Sequence, residues 1–344
     1  MKPSFPFALL LILGTACEID DDFGKSTLLA SPGEQVASSA EYTTRMIWYQ
    51  KDKVLLHQGY LSVLDLDGQS IDKVSEEYFQ DIADVTDGGM AIGVVVQNEG
   101  TLALRAIDLE GSDHMTLSAN VHTNYNTRTF AVIKGNDVFY TEIDADMRQF
   151  LYQHNVLTNQ RSALMENGVP LAISPDGREL LYINSAQQYI VYSLNEGIHS
   201  PLGFLSDLPA RIVWNNLGII GYFYIIGQNG GVLQIRDIET VLLILEQEGV
   251  VDGLSIFVSR DGQQYTYSTT RCSNPNYVYN CYDQPTLIGI IQGELSGGEG
   301  RELARHLVNV EIATESVGSG AFAPDASAFV YSLAGEIYSV SLTE

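Results

Sequence analysis

The clearest alternation of apolar and polar positions along this chain lies at 171–197, LAISPDGRELLYINSAQQYIVYSLNEG. A short apolar run leads into the turn Pro175-Asp176-Gly177, in which Pro fixes one φ and Gly takes a position that needs positive φ. Apolar residues resume at 179–183, and 188–193 alternates with the period of two that is typical of a strand. The pattern predicts a meander of short antiparallel strands.

This unit recurs in weaker form along the chain, and two independent markers count the copies. The first turn reappears at Gln50–Lys53, Asp87–Gly89, Gly135–Asp137, Asn215–Gly218, Arg260–Gly262 and Pro324–Ala326. The turn that closes the third strand is marked at 64–68, 107–111, 155–159, 192–197, 235–240, 290–295 and 338–344. Both markers indicate seven units of about 40–50 residues, the repeat length of β-propeller blades. The predicted units span 42–75, 79–117, 126–163, 168–204, 209–247, 251–310 and 317–344.

The SPDG turn between two strands resembles the WD40-like repeat family, the propeller found in the C-terminal half of the periplasmic protein TolB and in some serine peptidases. The match is specific at 171–193, whereas Arg260 replaces Pro and Ala326 replaces Gly in two other copies. The resemblance implies an all-β fold: a single seven-bladed β-propeller of four-stranded antiparallel blades. It does not imply one function, because propellers host unrelated activities.

Closure of the predicted ring requires a strand from elsewhere, since the seventh unit has three strand patterns up to Glu344. An open strand edge favours aggregation, and propellers commonly complete the last blade with an N-terminal strand. Ser26–Ala30 is the unassigned strand-like run, so we expect it to close the ring. The predicted organisation is a signal peptide at 1–16, a tether with the closing strand at 17–41, and the propeller at 42–344.

The N-terminus has the features of an export signal. Lys2 precedes an apolar stretch at 5–13 that is too short to span a membrane, and small residues precede Cys17. LGTAC resembles the lipobox of bacterial lipoproteins, although Gly14 stands where Leu is typical, and the resemblance implies acylation of Cys17. Ordinary cleavage after Ala16 is the alternative. We therefore expect an exported protein of the bacterial cell envelope, anchored in a membrane on the periplasmic side or at the cell surface.

Two further cysteines lie in the polar segment RCSNPNYVYNC. Three cysteines in an exported chain leave one unpaired, and acylation would use Cys17. Cys272 and Cys281 are then expected to form a disulfide that closes a small loop in an oxidising compartment. A metal site is a weaker alternative, because the two residues lack a CxxC spacing or a nearby His.

The same loop is the candidate binding surface. Tyr277, Tyr279 and Tyr282 lie next to Arg271, and these residue types commonly anchor protein interfaces. We expect the loop to interrupt the sixth unit between its second and third strands and to contact a partner. The alternative is a decorative loop whose tyrosines pack on their own blade.

The charge balance excludes some partners. Asp and Glu number 43 against 18 Lys and Arg, a net charge of −25, and no basic cluster is present. Such a surface repels nucleic acid and anionic lipid. The acidity either serves solubility alone or forms a surface for a cation or a basic partner.

Recognisable catalytic chemistry is missing from the sequence. There is no GxSxG elbow, the six His are scattered without metal-ligand spacing, and Asp residues such as Asp65 and Asp67 lie where turns need them. No catalytic residue, metal or cofactor is predicted, and no small-molecule ligand is identified.

These observations favour a non-enzymatic, membrane-anchored propeller that binds an envelope or periplasmic protein through its loop face. The alternatives are a propeller enzyme, a lyase or glycosidase, or a small-molecule binder, each acting at the central opening. A ring of inward-facing His, Arg and carboxylates would favour the enzyme, whereas a central channel plugged by aliphatic residues would favour the binding protein.

Overall fold

The computed structural model describes residues 33–38, 43–97, 100–111, 113–123, 129–203, 209–227, 230–250, 255–272, 286–297, 300–308 and 319–342. Across these ranges the regular structure consists of short β-strands without an α-helix, so the all-β prediction is confirmed. This part of the chain holds no helix that could cross a membrane.

The described strands are numbered in chain order. Their bounds are β1 Glu34–Ser38, β2 Arg45–Trp48, β3 Lys53–His57, β4 Leu61–Asp65, β5 Ser70–Lys73, β6 Asp81–Val85, β7 Met90–Val96, β8 Leu102–Asp108, β9 His114–Ser118, β10 Ala131–Lys134, β11 Asp137–Ile143, β12 Gln149–Asn155, β13 Gln160–Glu166, β14 Gly168–Ile173, β15 Glu179–Asn184, β16 Tyr189–Ser193, β17 His199–Gly203, β18 Arg211–Asn215, β19 Gly218–Gly227, β20 Gly230–Asp237, β21 Leu243–Val250, β22 Phe257–Val258, β23 Gln264–Cys272, β24 Thr286–Glu294, β25 Arg301–Val308, β26 Ser319–Phe322, β27 Ala328–Leu333 and β28 Glu336–Ser341.

Within the described ranges these strands form antiparallel sheets of four, apart from one sheet of eight. The sheet of eight joins β18–β21 to β22–β25 through a single residue pair, Val250 with Thr269. We therefore describe the strands in seven groups. The groups are β2–β5, β6–β9, β10–β13, β14–β17, β18–β21, β22–β25, and β26–β28 with β1.

The predicted first turn has the expected local structure. In the fourth group, Ser174 Oγ donates to Asp176 Oδ1 over 2.7 Å, and Gly177 has a φ of 73°. In the sixth group, Ser259 Oγ donates to Asp261 Oδ1 over 2.6 Å, and Gly262 has a φ of 68°. Because these contacts lie within a few residues of one another, each copy of the turn forms from its own sequence.

The core lies between the groups, where facing sheets bury their aliphatic and aromatic side chains. Each group shares a buried cluster with the group that follows it in the chain. One further cluster joins the last group to the first, with Val330 and Ile337 packed beside Met46, Trp48 and Leu56. The two ends of the described chain therefore share one core.

The outer position of the last group is occupied by β1, Glu34–Ser38, which pairs with β28. The predicted closing strand, Ser26–Ala30, lies outside the described residues. The sequence analysis placed 34–38 in the connecting chain before the first unit, and in the structure three of these five residues are exposed. Such a strand is held by backbone pairing along an edge, which leaves little hydrophobic signal in the sequence.

The turn between the third and fourth strands carries one conformational outlier. Four residues after the third strand ends, the backbone enters the left-handed region at Gln69, Asn159, Gly197 and Val241, with φ values of 49°, 54°, 69° and 59°. Gly and Asn are favoured there and an unbranched residue such as Gln is tolerated, but a β-branched side chain is strained at positive φ. The fifth group therefore carries local backbone strain in this turn.

Replacing Val241 with Asn, the residue of the equivalent turn in the third group, is expected to raise the free energy of unfolding by about 1 kcal/mol. The gain comes from relief of the strained φ, and chemical denaturation measures it. The reciprocal variant Asn159→Val is expected to lose more than this amount, because Asn159 Oδ1 also bonds His154 Nε2 over 2.9 Å. An unchanged or lower stability of Val241→Asn would contradict this account of the turn.

Candidate functional site

A central cavity of about 710 Å³ is lined by the first strand of every group. These inner strands contact one another in sequence, from β22 to β26, β2, β6, β10, β14 and β18. The cavity therefore runs along the axis about which the groups are arranged, the usual location of a propeller's ligand site.

The wall of the cavity combines apolar residues with polar and charged ones. Both tryptophans of the chain, Trp48 and Trp214, belong to it, together with aliphatic residues from several strands. The charged side chains in the wall are Arg45, Asp81, Asp84, Arg211 and Arg260. The cavity is not plugged by aliphatic residues, and its wall holds Arg and Asp side chains together with His57, the residue types that the sequence analysis named as favouring an enzyme.

One ion pair joins neighbouring inner strands. Arg45 Nη1 lies 3.3 Å from Asp81 Oδ1, and Arg45 Nη2 donates to the carbonyl of Ala83 over 3.2 Å. Arg45 is therefore held against the second group by two contacts, which fix its position in the wall.

His57 lies beside this pair and is buried. Its Nε2 donates to the carbonyl of Phe79 over 2.9 Å, so Nδ1 accepts from the Thr44 hydroxyl 2.6 Å away. Burial lowers the pKa of His57, which keeps the imidazole neutral. Because both ring nitrogens are already bonded, His57 serves packing better than proton transfer.

The second ion pair crosses the cavity. Arg260 Nη2, just beyond β22, lies 3.9 Å from Asp84 Oδ2 of β6. Two other inner strands, β26 and β2, separate β22 from β6 around the axis. Burial within the cavity raises the pKa of Asp84, while Arg260 opposes that shift. The carboxylate is surrounded by protein, yet 41% of its side chain remains accessible through the opening.

The binding residues predicted from the sequence lie almost entirely outside the described residues. Cys17, Tyr277, Tyr279, Cys281 and Tyr282 all do, so the acylation, the disulfide and the tyrosine surface stay predictions. The backbone of Arg271 and Cys272 forms the end of β23, paired with Leu287 and Thr286 of β24. The loop therefore does connect the second and third strands of the sixth group, as expected.

Three further histidines of the described residues lie in hydrogen-bonding contact with tyrosines. His154, His199 and His306 contact the hydroxyls of Tyr140, Tyr182 and Tyr331, respectively. In the part of the chain that the structure describes, no three His, Cys, Asp or Glu side chains converge as metal ligands.

A second surface was missed by the sequence analysis. In each meander the first and third turns lie at the same end of the sheet, and contacts such as Asp87 N with Gly135 O place these ends together in neighbouring groups. We call this end of the molecule the turn face. Five aliphatic residues on this face are each between 49% and 66% exposed. They are Leu157, Ile198, Leu217, Val241 and Leu242. The run VLLIL at 241–245 was a usable signal, because it places apolar residues in a turn.

Comparisons with known proteins show the fold. No protein-family model matches the chain, and no curated protein matches it. A chain of the mitotic checkpoint complex is 11% identical, with a TM-score of 0.57 over 95% of this chain and 98% of that one. Oligogalacturonate lyase from Vibrio parahaemolyticus is 12% identical, with a TM-score of 0.59 over 89% and 91%. An oligogalacturonate lyase in complex with manganese is 12% identical, with a TM-score of 0.56 over 89% and 90%. At these identities the likeness concerns architecture alone, and the chain has a β-propeller fold.

Proposed function

We propose that this protein is a non-enzymatic binding propeller that captures a protein partner of the cell envelope on its turn face. Seven blades form its ring, and β1 closes the ring against β28. An acylated Cys17 tethers it to a membrane. Support for the ring comes from the buried clusters between consecutive groups and from the cluster that joins the last group to the first. The sheet of eight divides into two blades at its single Val250–Thr269 pair.

The observation that carries the proposed function is the aliphatic surface of the turn face. Leu157, Ile198 and Leu217 belong to three consecutive groups, and Leu217 and Leu242 are 63% and 66% exposed. Exposed aliphatic residues that recur at equivalent ends of consecutive groups favour an interaction site, because leaving them in water costs free energy that a partner recovers.

Charge restricts the kind of partner. Glu196 and Glu239 are exposed in turns of the same three-group region, as is Asp176, whose carboxylate lies 3.7 Å from the Arg178 guanidinium. Hydrogen bonds from Ser174 and from the Arg178 backbone lower the pKa of Asp176, which keeps it charged. Acidic residues around an aliphatic surface complement a partner that is basic and apolar. The net charge of −25 extends the same attraction over the whole molecule.

A second candidate function is small-molecule binding in the central cavity, favoured by the arginines and aspartates in its wall. Lyase activity is a property of the structural neighbours. The described residues do not build a three-residue metal-ligand set that fits manganese, and no reaction step is derived for this chain.

Site-specific photo-crosslinking in cells tests the proposed function. A photoreactive phenylalanine analogue at Leu217 or Leu242 is expected to crosslink to one and the same envelope protein. Met147 is the matched control, because it is 77% exposed but lies in a second turn, at the opposite end of the sheet. Equal adducts from position 147, or none from 217 and 242, would contradict binding at the turn face.

A further inference from the structure

Arg260 is a residue type that the geometry of its turn does not require. It occupies the position held by Pro175 in the fourth group and by Pro324 in the seventh. The surrounding turn is otherwise the same, since Ser259 bonds Asp261 as Ser174 bonds Asp176. A local departure that leaves the fold unchanged is expected at functional positions.

The side chain of Arg260 points across the cavity to Asp84. The gap of 3.9 Å between Nη2 and Oδ2 is longer than a hydrogen bond. Asp84 Oδ1 accepts the backbone N–H of Val85 over 2.8 Å, while Oδ2 faces Arg260. Opposite charges therefore face each other loosely, and both side chains remain partly exposed to the cavity.

Two charges of opposite sign, held on different blades, select for a ligand that carries both. A ligand that carries only a negative charge would be repelled by Asp84, and one that carries only a positive charge would be repelled by Arg260. A zwitterion avoids both repulsions because it can pair with both residues. The nearby Arg45 is held by Asp81 and the Ala83 carbonyl, and its charge also acts on Asp84, where Arg260 is the larger of the two cationic influences.

The cavity lining also holds aliphatic residues. Ile133, Ile173 and Val213, each partly buried, belong to the inner strands β10, β14 and β18. The volume of about 710 Å³ is within the range of about 300–1,000 Å³ found for ligand pockets.

We propose that the cavity binds a free α-amino acid with an aliphatic side chain. Its carboxylate pairs with the Arg260 guanidinium, its ammonium group pairs with Asp84, and its side chain lies on the aliphatic residues of the cavity lining. Arg suits this role because its planar fork matches a carboxylate. This site is separate from the turn-face surface, so either proposal can fail without the other.

Calorimetric titration of the full-length protein with three matched probes tests the site. The probes are L-leucine, 4-methylpentanoate, which lacks the ammonium group, and 3-methylbutylamine, which lacks the carboxylate. Leucine is expected to bind about tenfold more tightly than either analogue, because each analogue leaves one charged partner unpaired. Binding of one analogue as tightly as leucine, or of none of the three probes, would overturn the proposal.

Single-residue variants test whether leucine binds at Arg260 and Asp84. Arg260→Pro restores the residue of the equivalent turns, so the fold is expected to be retained while leucine affinity falls about tenfold or more. Asp84→Asn is a second variant that keeps the side-chain oxygen near Val85 and is expected to weaken leucine binding similarly. Arg178→Ala, in the exposed first turn of the fourth group, is the control and should bind as wild type. Unchanged leucine binding in Arg260→Pro and Asp84→Asn would refute the site.

Discussion

Deleting residues 33–38 is expected to lower the free energy of unfolding by roughly 3–5 kcal/mol, the sum of several backbone hydrogen bonds at about 1 kcal/mol each. These residues form β1, whose register with β28 runs from Glu34 opposite Ser339 to Ser38 opposite Glu336. Gly33 N also donates to the hydroxyl of Tyr331 over 3.3 Å.

The deletion also uncovers the last group. Val36 and Ala37 pack against the cluster that contains Ile337 and Trp48, so the core shared by the last and first groups loses part of its cover. The edge of β28 would then offer unpaired backbone groups to other chains. We therefore expect aggregation on heating in addition to a lower melting temperature.

Differential scanning calorimetry of two deletions measures this effect. Removal of 33–38 removes the observed β1, whereas removal of 24–31 removes the strand expected from the sequence. A large loss from the first deletion and a small one from the second would identify β1 as the closing strand. Equal melting temperatures for the 33–38 deletion and the wild type would refute that role.

Acidification from pH 7 to pH 4 is expected to destabilise the protein through His306. This residue lies in β25, and its Nε2 is 2.7 Å from the Tyr331 hydroxyl of the next group. Its ring packs against Tyr338 with a centroid distance of 4.6 Å. Burial between these rings lowers the pKa of His306 to about 4.

The direction of the pH effect follows from proton linkage. The unfolded chain binds a proton at His306 near pH 6.5, whereas the folded protein does so only near pH 4. The unfolded state therefore binds more protons between these values, and stability falls as pH decreases through this window. The contribution is at most about 3 kcal/mol, since one pKa unit corresponds to about 1.4 kcal/mol.

The variant His306→Gln isolates this contribution from that of the carboxylates. Urea denaturation at pH 7 and pH 4 is expected to show a smaller loss of stability on acidification for the variant than for the wild type. His114→Gln, which changes an exposed residue, is the control and should follow the wild-type profile. Parallel pH profiles for wild type and His306→Gln would contradict the linkage.

The strand repeat was predictable because its signals are local. The turn at 174–177 is held by bonds among Ser174, Asp176 and Gly177, all within four residues. Apolar and polar residues alternate on either side, so the strand and its turn can be read from one short segment. The connection between β23 and β24 was placed correctly for the same reason, since RCSNPNYVYNC interrupts a strand pattern.

Only the tertiary structure decided which distant residues meet. Arg260 and Asp84 are far apart in the chain and lie on strands that are not neighbours, so no spacing relates them. β1 pairs with β28 through backbone groups, which every residue except proline offers, and side-chain patterns therefore carry little information about that pairing. The turn face brings Leu157, Ile198 and Leu217 to one side because successive blades repeat the same orientation.

The sequence determines the blade, since the blade forms from contacts between neighbouring residues. The cavity and the turn face arise where the groups of strands meet, and their geometry depends on how these groups pack together.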